Sequence, residues 1–289
     1  MANKTKIAWC DSTFNPWIGC TKVSDGCKFC YAEAQNKRYK WVDAWGVGGT
    51  RHRTSAAKWD EVERWNKQAF VECPLCGWRG WKGDKEKCKC IAPWQDARRR
   101  VFCASLADVF EENDQLDGMR LDLFDLMVRT QNLDWLVLTK RPENVERMVP
   151  WGAWPQNVWL GTTIESQTRV KRLIPLLDIP APVHFVSVEP MLGPVDLMLL
   201  DRLNLVRDMW VICGGESGAG CRPMEIEWAL SLRLQCEDAN VPFFMKQLGG
   251  HPNKRHDLDD FPPALRVREF PAPRKLESVP QRNAKMKAL

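Results

Sequence analysis

From residue 100 onward, short apolar runs alternate with longer stretches whose apolar residues recur at helical spacing. The runs are Val101-Phe102-Cys103-Ala104, Trp135-Leu136-Val137-Leu138, Val158-Trp159-Leu160-Gly161, His184-Phe185-Val186-Ser187-Val188, Trp210-Val211-Ile212-Cys213 and Pro242-Phe243-Phe244-Met245. Each is short and largely apolar without strict alternation, which predicts strands covered on both faces of a parallel sheet. The intervening stretches predict helices over about 116–130, 142–148, 167–177 and 225–239, and in the last of these Ile226, Ala229, Leu230, Leu232 and Leu234 are interleaved with polar residues. Repeated βα units place the chain in the α/β class.

Polar residues follow each run at once: Ser105 and Asp108, then Thr139-Lys140-Arg141, Thr162-Thr163 and Glu165, Glu189, Glu216-Ser217, and Lys246-Gln247. In barrels and open α/β sheets the carboxyl ends of parallel strands form the ligand face, so these residues are expected to converge there.

Upstream of the βα units, Cys20, Cys27 and Cys30 are spaced Cys-x6-Cys-x2-Cys. Three thiolates from one loop, without a fourth nearby, suit an iron–sulfur cluster that keeps one iron open. An open iron is where S-adenosylmethionine chelates in radical enzymes, so the spacing points to radical chemistry begun by reductive cleavage of that cofactor. A zinc site that borrows Cys10 or a more distant cysteine is the competing reading. Cys73-Pro74-Leu75-Cys76-Gly77 followed by Cys88-Lys89-Cys90 reads as an inserted four-cysteine knuckle for zinc, with a second iron–sulfur cluster and four unliganded thiols as alternatives.

The segments Thr13-Phe14-Asn15-Pro16-Trp17 through Cys30-Tyr31-Ala32-Glu33, Phe102-Cys103-Ala104-Ser105-Leu106-Ala107-Asp108-Val109-Phe110, Leu138-Thr139-Lys140-Arg141-Pro142, Val188-Glu189-Pro190-Met191-Leu192, Gly214-Gly215-Glu216-Ser217-Gly218 and Phe244-Met245-Lys246-Gln247 span nearly the whole chain. Together they resemble a phage and bacterial three-cysteine-motif family that is radical-SAM-like and largely uncharacterised. Radical-SAM enzymes at large space their first two cysteines by three residues, whereas here the gap is six. The resemblance implies a partial (β/α)6 TIM-like barrel of radical-SAM type, with a short first strand near Ile7-Ala8-Trp9 and the small four-cysteine knuckle inserted. It further implies a 4Fe-4S cluster on Cys20, Cys27 and Cys30. Gly214, Gly215 and Glu216 look like the glycine–glycine–glutamate element that approaches the methionine amino group, although Ser105 to Asp108 hold the usual second-strand position. Thr139 and Glu165 join the cofactor candidates, Glu165 as an acceptor for ribose hydroxyls. Lys140, Arg141 and Glu189 are the candidates for contact with substrate or the sulfonium, Arg141 because its planar fork grips carboxylate or phosphate.

A chain of 289 residues can bury one large domain with an insertion. The expected division is 1–69 as the cluster-binding start of the barrel, 70–95 as the knuckle, 96–250 as the remaining βα units and 251–289 as an extended basic strap and tail. With 44% hydrophobic and 27% charged residues, disorder is excluded for most of the chain. The absence of a long apolar run or signal-peptide core predicts a cytoplasmic protein with no membrane partner, where the 12 cysteines are ligands or small core residues rather than disulfides. A net charge of +5 permits an anionic partner without demonstrating one. Tryptophans 41, 45, 59, 65, 78, 81 and 94, set among basic residues, could stack bases or pack internally.

The leading expectation is therefore a radical-SAM enzyme acting on a nucleic-acid base, in DNA base modification or photoproduct-type repair, supplied by a reducing electron donor. The same chemistry on a peptide or small metabolite, and a non-enzymatic zinc-stabilised nucleic-acid-binding protein, are the alternatives.

Overall fold

The computed structural model describes residues 5–84, 88–197, 209–218, 220–249 and 255–276. In chain order the elements are β1 (Ser12–Phe14), β2 (Trp17–Ile18), α1 (Tyr31–Tyr39), β3 (His52–Arg53), α2 (Ala56–Asn66), β4 (Phe70–Glu72), β5 (Arg79–Trp81), β6 (Gln95–Ala97) and β7 (Arg99–Cys103). There follow α3 (Asp117–Arg129), β8 (Leu133–Thr139), α4 (Val145–Met148), β9 (Val158–Thr163), α5 (Leu173–Leu177), β10 (His184–Val188), β11 (Met209–Gly214), α6 (Ile226–Asp238) and β12 (Phe243–Gln247).

Seven strands pair in parallel in the order β1-β7-β8-β9-β10-β11-β12, a singly wound sheet that curls into a half-barrel. Both faces are apolar, as the unbroken runs predict. On β8, Trp135 and Val137 face the cluster that includes Leu123, Phe124 and Met127 of α3. Leu136 and Leu138 face the opposite way, into a second cluster with Trp9, Phe102, Trp159, Phe185, Trp210, Ile212 and Phe244. That concave cluster is built from interlocked rings: Trp9 lies 4.5 Å from Phe102, and Trp210 lies 5.8 Å from Phe244 and 6.3 Å from Trp159. Such pairs add about 0.5–1.5 kcal/mol each beyond the area they bury. Gly161 has no side chain because a Cβ there would stand 2.4 Å from the Phe185 ring.

The six strands predicted from the apolar runs are all present. The first strand is displaced: Ile7 to Cys10 closes a turn through Cys10 N–H to Ile7 O at 3.3 Å, Trp9 enters the concave cluster, and the strand forms at 12–14 instead of 7–9. The stretches at 142–148 and 167–177 are each a 3-10 turn leading into a short α-helix, unlike the longer α3 and α6. The described part of the C-terminal strap, residues 255–276, runs beside the sheet. Met245 N–H donates to Val267 O and Glu269 N–H to Phe243 O, which lays the strap against the free edge of β12. It then crosses under the amino ends of the strands, where Phe270 packs 5.3 Å from Trp210 and Arg274 N–H donates to Pro182 O. The basic tail from 281 lies outside the described residues.

Trp59 and Trp65 are core residues, not base-stacking ones: with Val62 they form the buried face of α2, and Trp59 meets Phe14 edge-on at 5.3 Å. No helix among the described residues is long and apolar enough to cross a membrane.

Asp134 begins β8 in a buried position, with Arg98 Nη1 3.5 Å from its carboxylate. Burial pushes its carboxyl up to about 6, and Arg98, Arg100 and Arg79 only partly oppose it. The unfolded chain titrates near 3.9, so between about pH 4 and 6 the folded state binds the extra proton and stability falls as pH rises. Asp134→Asn is expected to flatten that slope and to be the more stable form at pH 7 in urea unfolding. Parallel pH profiles for the two proteins would refute this.

Candidate functional site

The three-cysteine loop lies over the carboxyl ends of the parallel strands and is fastened to them by named contacts. At its first end, Arg141 from the end of β8 donates to Thr21 O at 2.7 Å, and its Nη1 is 4.0 Å from Cys20 Sγ. Arg141 is set by Asp108, which also accepts from Thr139 Oγ1 at 2.7 Å, Lys140 N at 3.0 Å and Phe110 N at 3.0 Å. Asp108 is thus saturated by donors, and its task is to fix Arg141. Burial and the Asp108 charge push the Cys20 thiol up to about 12, with Arg141 opposing them. A thiolate there needs further positive charge beside it, which a bound metal would supply.

In the middle of the loop, Gly26 is packed against Glu165, where a Cβ would lie 3.1 Å from the glutamate Cγ. Glu165 is held by Arg172, whose Nη1 donates to Oε2 at 2.7 Å and to Thr163 O at 2.7 Å. Burial alone would raise the Glu165 carboxyl, but Arg172, Ser24 and Lys140 outweigh it and hold it below the usual carboxylate range. Arg222 donates to Asp25 O at 2.9 Å and clasps both oxygens of Glu216, at 3.0 and 2.6 Å. At the last end, Cys30 precedes α1, and the Tyr31 hydroxyl donates to Ser105 O at 2.5 Å. Ala104, at φ +63°, turns the chain sharply out of β7 into Ser105, and Asn15 ties β1 to this turn by accepting from Leu106 N at 2.7 Å.

Inside the mouth, Lys140 Nζ donates to Thr163 Oγ1 at 3.2 Å, Lys246 Nζ lies 2.6 Å from Glu189 Oε1, and Ser187 Oγ donates to Glu189 Oε2 at 3.3 Å. The glycines of the 214–216 element have packing reasons of their own. A Cβ at Gly214 would lie 2.6 Å from Glu189 Oε1, and one at Gly215 would lie 2.2 Å from the backbone of Gly249. Of the strand-end carboxylates, Asp108, Glu165 and Glu216 are already engaged by guanidinium groups.

One further anchor was not visible in the sequence. Arg51 is fully buried and donates to both oxygens of Glu111, at 2.9 and 2.6 Å, to Thr21 Oγ1 at 2.9 Å and to Gly49 O at 2.8 Å. None of Arg51, Glu111, Arg172 and Arg222 lies in a motif segment singled out from the sequence, although Arg172 and Arg222 pair with the nearby candidates Glu165 and Glu216. Tyr31 and Asn15 lie inside conspicuous segments and could have been singled out from them.

The second cysteine group is compact. The ligand atoms of Cys73, Cys76, Cys88 and Cys90 all lie within 4.8 Å of one another, and no other such group of three or more occurs among the described residues. The turn between β4 and β5 supplies Cys73 and Cys76, with Cys73 N–H to Trp78 O at 2.8 Å and Gly77 N–H to Cys73 O at 2.9 Å, and the chain between β5 and β6 supplies Cys88 and Cys90. Gly77 takes φ +68°, which its lack of a Cβ permits. Backbone amides of Cys76 and Leu75 pull the Cys73 thiol down to about 7. Four thiol groups so placed could hold one metal ion, whose sulfurs would sit about 3.8 Å apart in a tetrahedral zinc site. Cys10, by contrast, lies in the concave aromatic cluster and forms no compact tetrad with Cys20, Cys27 and Cys30. A cubane puts each thiolate on a different iron, so those three need not crowd together as ligands of a single ion do.

The chain belongs to the family described as protein of unknown function (DUF5131), whose model matches residues 4–286. No curated protein and no solved structure matches it.

Two outcomes are expected. Cys76→Ser should remove about one bound metal equivalent, measured by elemental analysis, and open the β4–β5–β6 sheet to protease while the half-barrel persists; unchanged metal content would refute the tetrad. Arg51→Met should destabilise the protein by about 3–5 kcal/mol in urea unfolding, because it strands a buried carboxylate. Adding Glu111→Leu should recover much of that loss.

Proposed function

We propose that this protein is a radical S-adenosylmethionine enzyme, with Cys20, Cys27 and Cys30 as the ligands of a 4Fe-4S cluster and the cofactor bound among the strand ends. The observation that carries this reading is the seat of the three-cysteine loop across the carboxyl-end mouth of a parallel half-barrel. The donor set fits: the loop offers three sulfurs and no compact fourth, Arg141 Nη1 reaches toward Cys20 Sγ, and Ser24 Oγ stands 4.0 Å from Cys27 Sγ. When bound, the cluster and cofactor supply one-electron cleavage of the sulfonium by a reducing donor, giving methionine and a 5′-deoxyadenosyl radical.

The chain's own residues divide the remaining work. Asp108 and Thr139 position Arg141 against the loop, Glu216 positions Arg222 against Asp25 O, and Glu165, itself held by Arg172, packs directly on Gly26. Ser105, Gly214 and Gly215 shape the rim by their backbone. Glu189 and Lys140 are left to contact cofactor or substrate. The Cys73–Cys90 tetrad is assigned to zinc, whose closed four-sulfur coordination supplies folding energy to a segment with few aliphatic residues. The substrate class we favour is a nucleic-acid base, as in DNA base modification or photoproduct repair, within the cytoplasm. A peptide or small metabolite is the competing class.

Iron and sulfide analysis with electron paramagnetic resonance tests the assignment on anaerobically reconstituted protein, reduced with and without S-adenosylmethionine, beside Cys30→Ala. A reduced 4Fe-4S signal that shifts on adding the cofactor and is lost in the variant is the expected result. Zinc alone, without response to the cofactor, would overturn the enzyme reading.

A further inference from the structure

Beside the cysteine loop an open cleft of about 630 Å³ runs along α1, from Cys30 and Tyr31 at its inner end to Tyr39 at its outer end, with Ser217 and Gly218 on the facing wall. Three exposed aromatic rings lie along it: Phe29, Tyr31 and Tyr39, the last 54% exposed. Tyr39 is stacked on Trp41 with ring centres 5.0 Å apart and planes 21° from parallel, so Trp41 backs one face of the exposed Tyr39 ring. Cations accompany the rings. Lys28 Nζ lies 5.4 Å from the Phe29 ring centre, Arg222 also 5.4 Å from it, and the Arg38 guanidinium 5.2 Å from that of Tyr39. The one carboxylate lining the cleft, Glu33, is neutralised by Lys22 at 2.6 Å and Lys37 at 3.6 Å.

A solvated helix surface explains the lysines but not the rings. Large aromatic surface left in water is costly, and a fold with an extensive aromatic interior had every means to bury it. Exposed rings accompanied by cations suit one ligand chemistry well: unpaired bases that stack and phosphates that need counter-charge. A duplex keeps its base faces stacked inside and cannot use such rings. A peptide would not call for this density of positive charge, and a membrane surface would call for aliphatic side chains that the cleft lacks.

We propose that the α1 cleft binds single-stranded nucleic acid, with the Tyr39–Trp41 pair and Arg38 holding the strand at the outer end and feeding one nucleotide inward past Phe29 to Tyr31 and Cys30. The feeding role rests on the cluster assignment above, whereas strand binding does not. α1 rises about 13 Å over its nine residues, enough for a few nucleotides.

The test is fluorescence anisotropy of the full chain with a labelled strand of about 12 nucleotides, as oligo-dT, as oligo-U and as the matching DNA duplex. Preference for both single strands over the duplex is expected, and the two single-strand arms separate DNA from RNA as the source. Tyr39→Ala should weaken binding about tenfold without changing its salt dependence, since it removes stacking and no charge. Arg38→Ala should weaken binding and lower the slope of log affinity against log salt by about 0.7. Both residues are exposed on the last turn of α1, and unchanged melting and metal content confirm that each variant is folded. Duplex bound as tightly as single strand, or both variants binding like the parent, overturns the proposal. A loaded cluster with no strand binding overturns the cleft alone, while strand binding in protein that takes up no iron overturns the cluster reading alone.

Discussion

Guanidinium–carboxylate pairing holds the mouth of this protein together. The cysteine loop is mostly thiols, small polar residues, lysines and two glycines, and its larger apolar side chains Val23 and Phe29 are exposed rather than packed on the barrel. The fold instead sends in arginines: Arg51 with Glu111, Arg141 with Asp108, Arg172 with Glu165, and Arg222 with Glu216. Burying such pairs wins little net stability, because desolvation consumes most of the attraction. What they provide is direction. A planar fork with five donors can grip a carboxylate and still reach a backbone carbonyl, as Arg141 does at Thr21 and Arg222 at Asp25. Lysine has no such geometry, and a lysine network would leave the cysteines free to drift.

The barrel beneath was legible because its cause is local. Each strand is covered on both faces, so each appears in the chain as an unbroken apolar run, and α3 and α6 announce themselves by their buried faces. The elements before residue 100 obey other rules. β1 is three residues long and lies at the edge, α1 is polar nearly throughout, and the buried stripe of α2 uses tryptophans that equally suggest base stacking. The clasping network was illegible for a different reason: Arg51 and Glu111 are 60 residues apart, and Arg222 and Asp25 are 197 apart. Nothing in a linear pattern couples positions so distant.

The two cysteine groups answer to different physical needs. Cys73, Cys76, Cys88 and Cys90 crowd within 4.8 Å in a segment whose Leu75 and Ile91 are exposed, so a metal bound there would stand in for a core. Cys20, Cys27 and Cys30 lie on a loop that is already positioned by the side chains of the arginine network. Thiols held in advance by the protein suit a site whose geometry matters for more than folding, as the proposed cluster would require.

The same accounting ranks the acids at the mouth. Asp108 and Glu216 each face an arginine that also holds a loop carbonyl, and Glu165 faces Arg172, which also holds Thr163 O, so all three carboxylates are already engaged. Glu189 differs. Its partner Lys246 is a single flexible ammonium, partly exposed, and Ser187 donates to its other oxygen. A lysine side chain can swing away at the cost of one ion pair, whereas withdrawing Arg222 from Glu216 would also break its hold on Asp25. Glu189 is therefore the carboxylate that a ligand entering the half-barrel can recruit without dismantling the mouth.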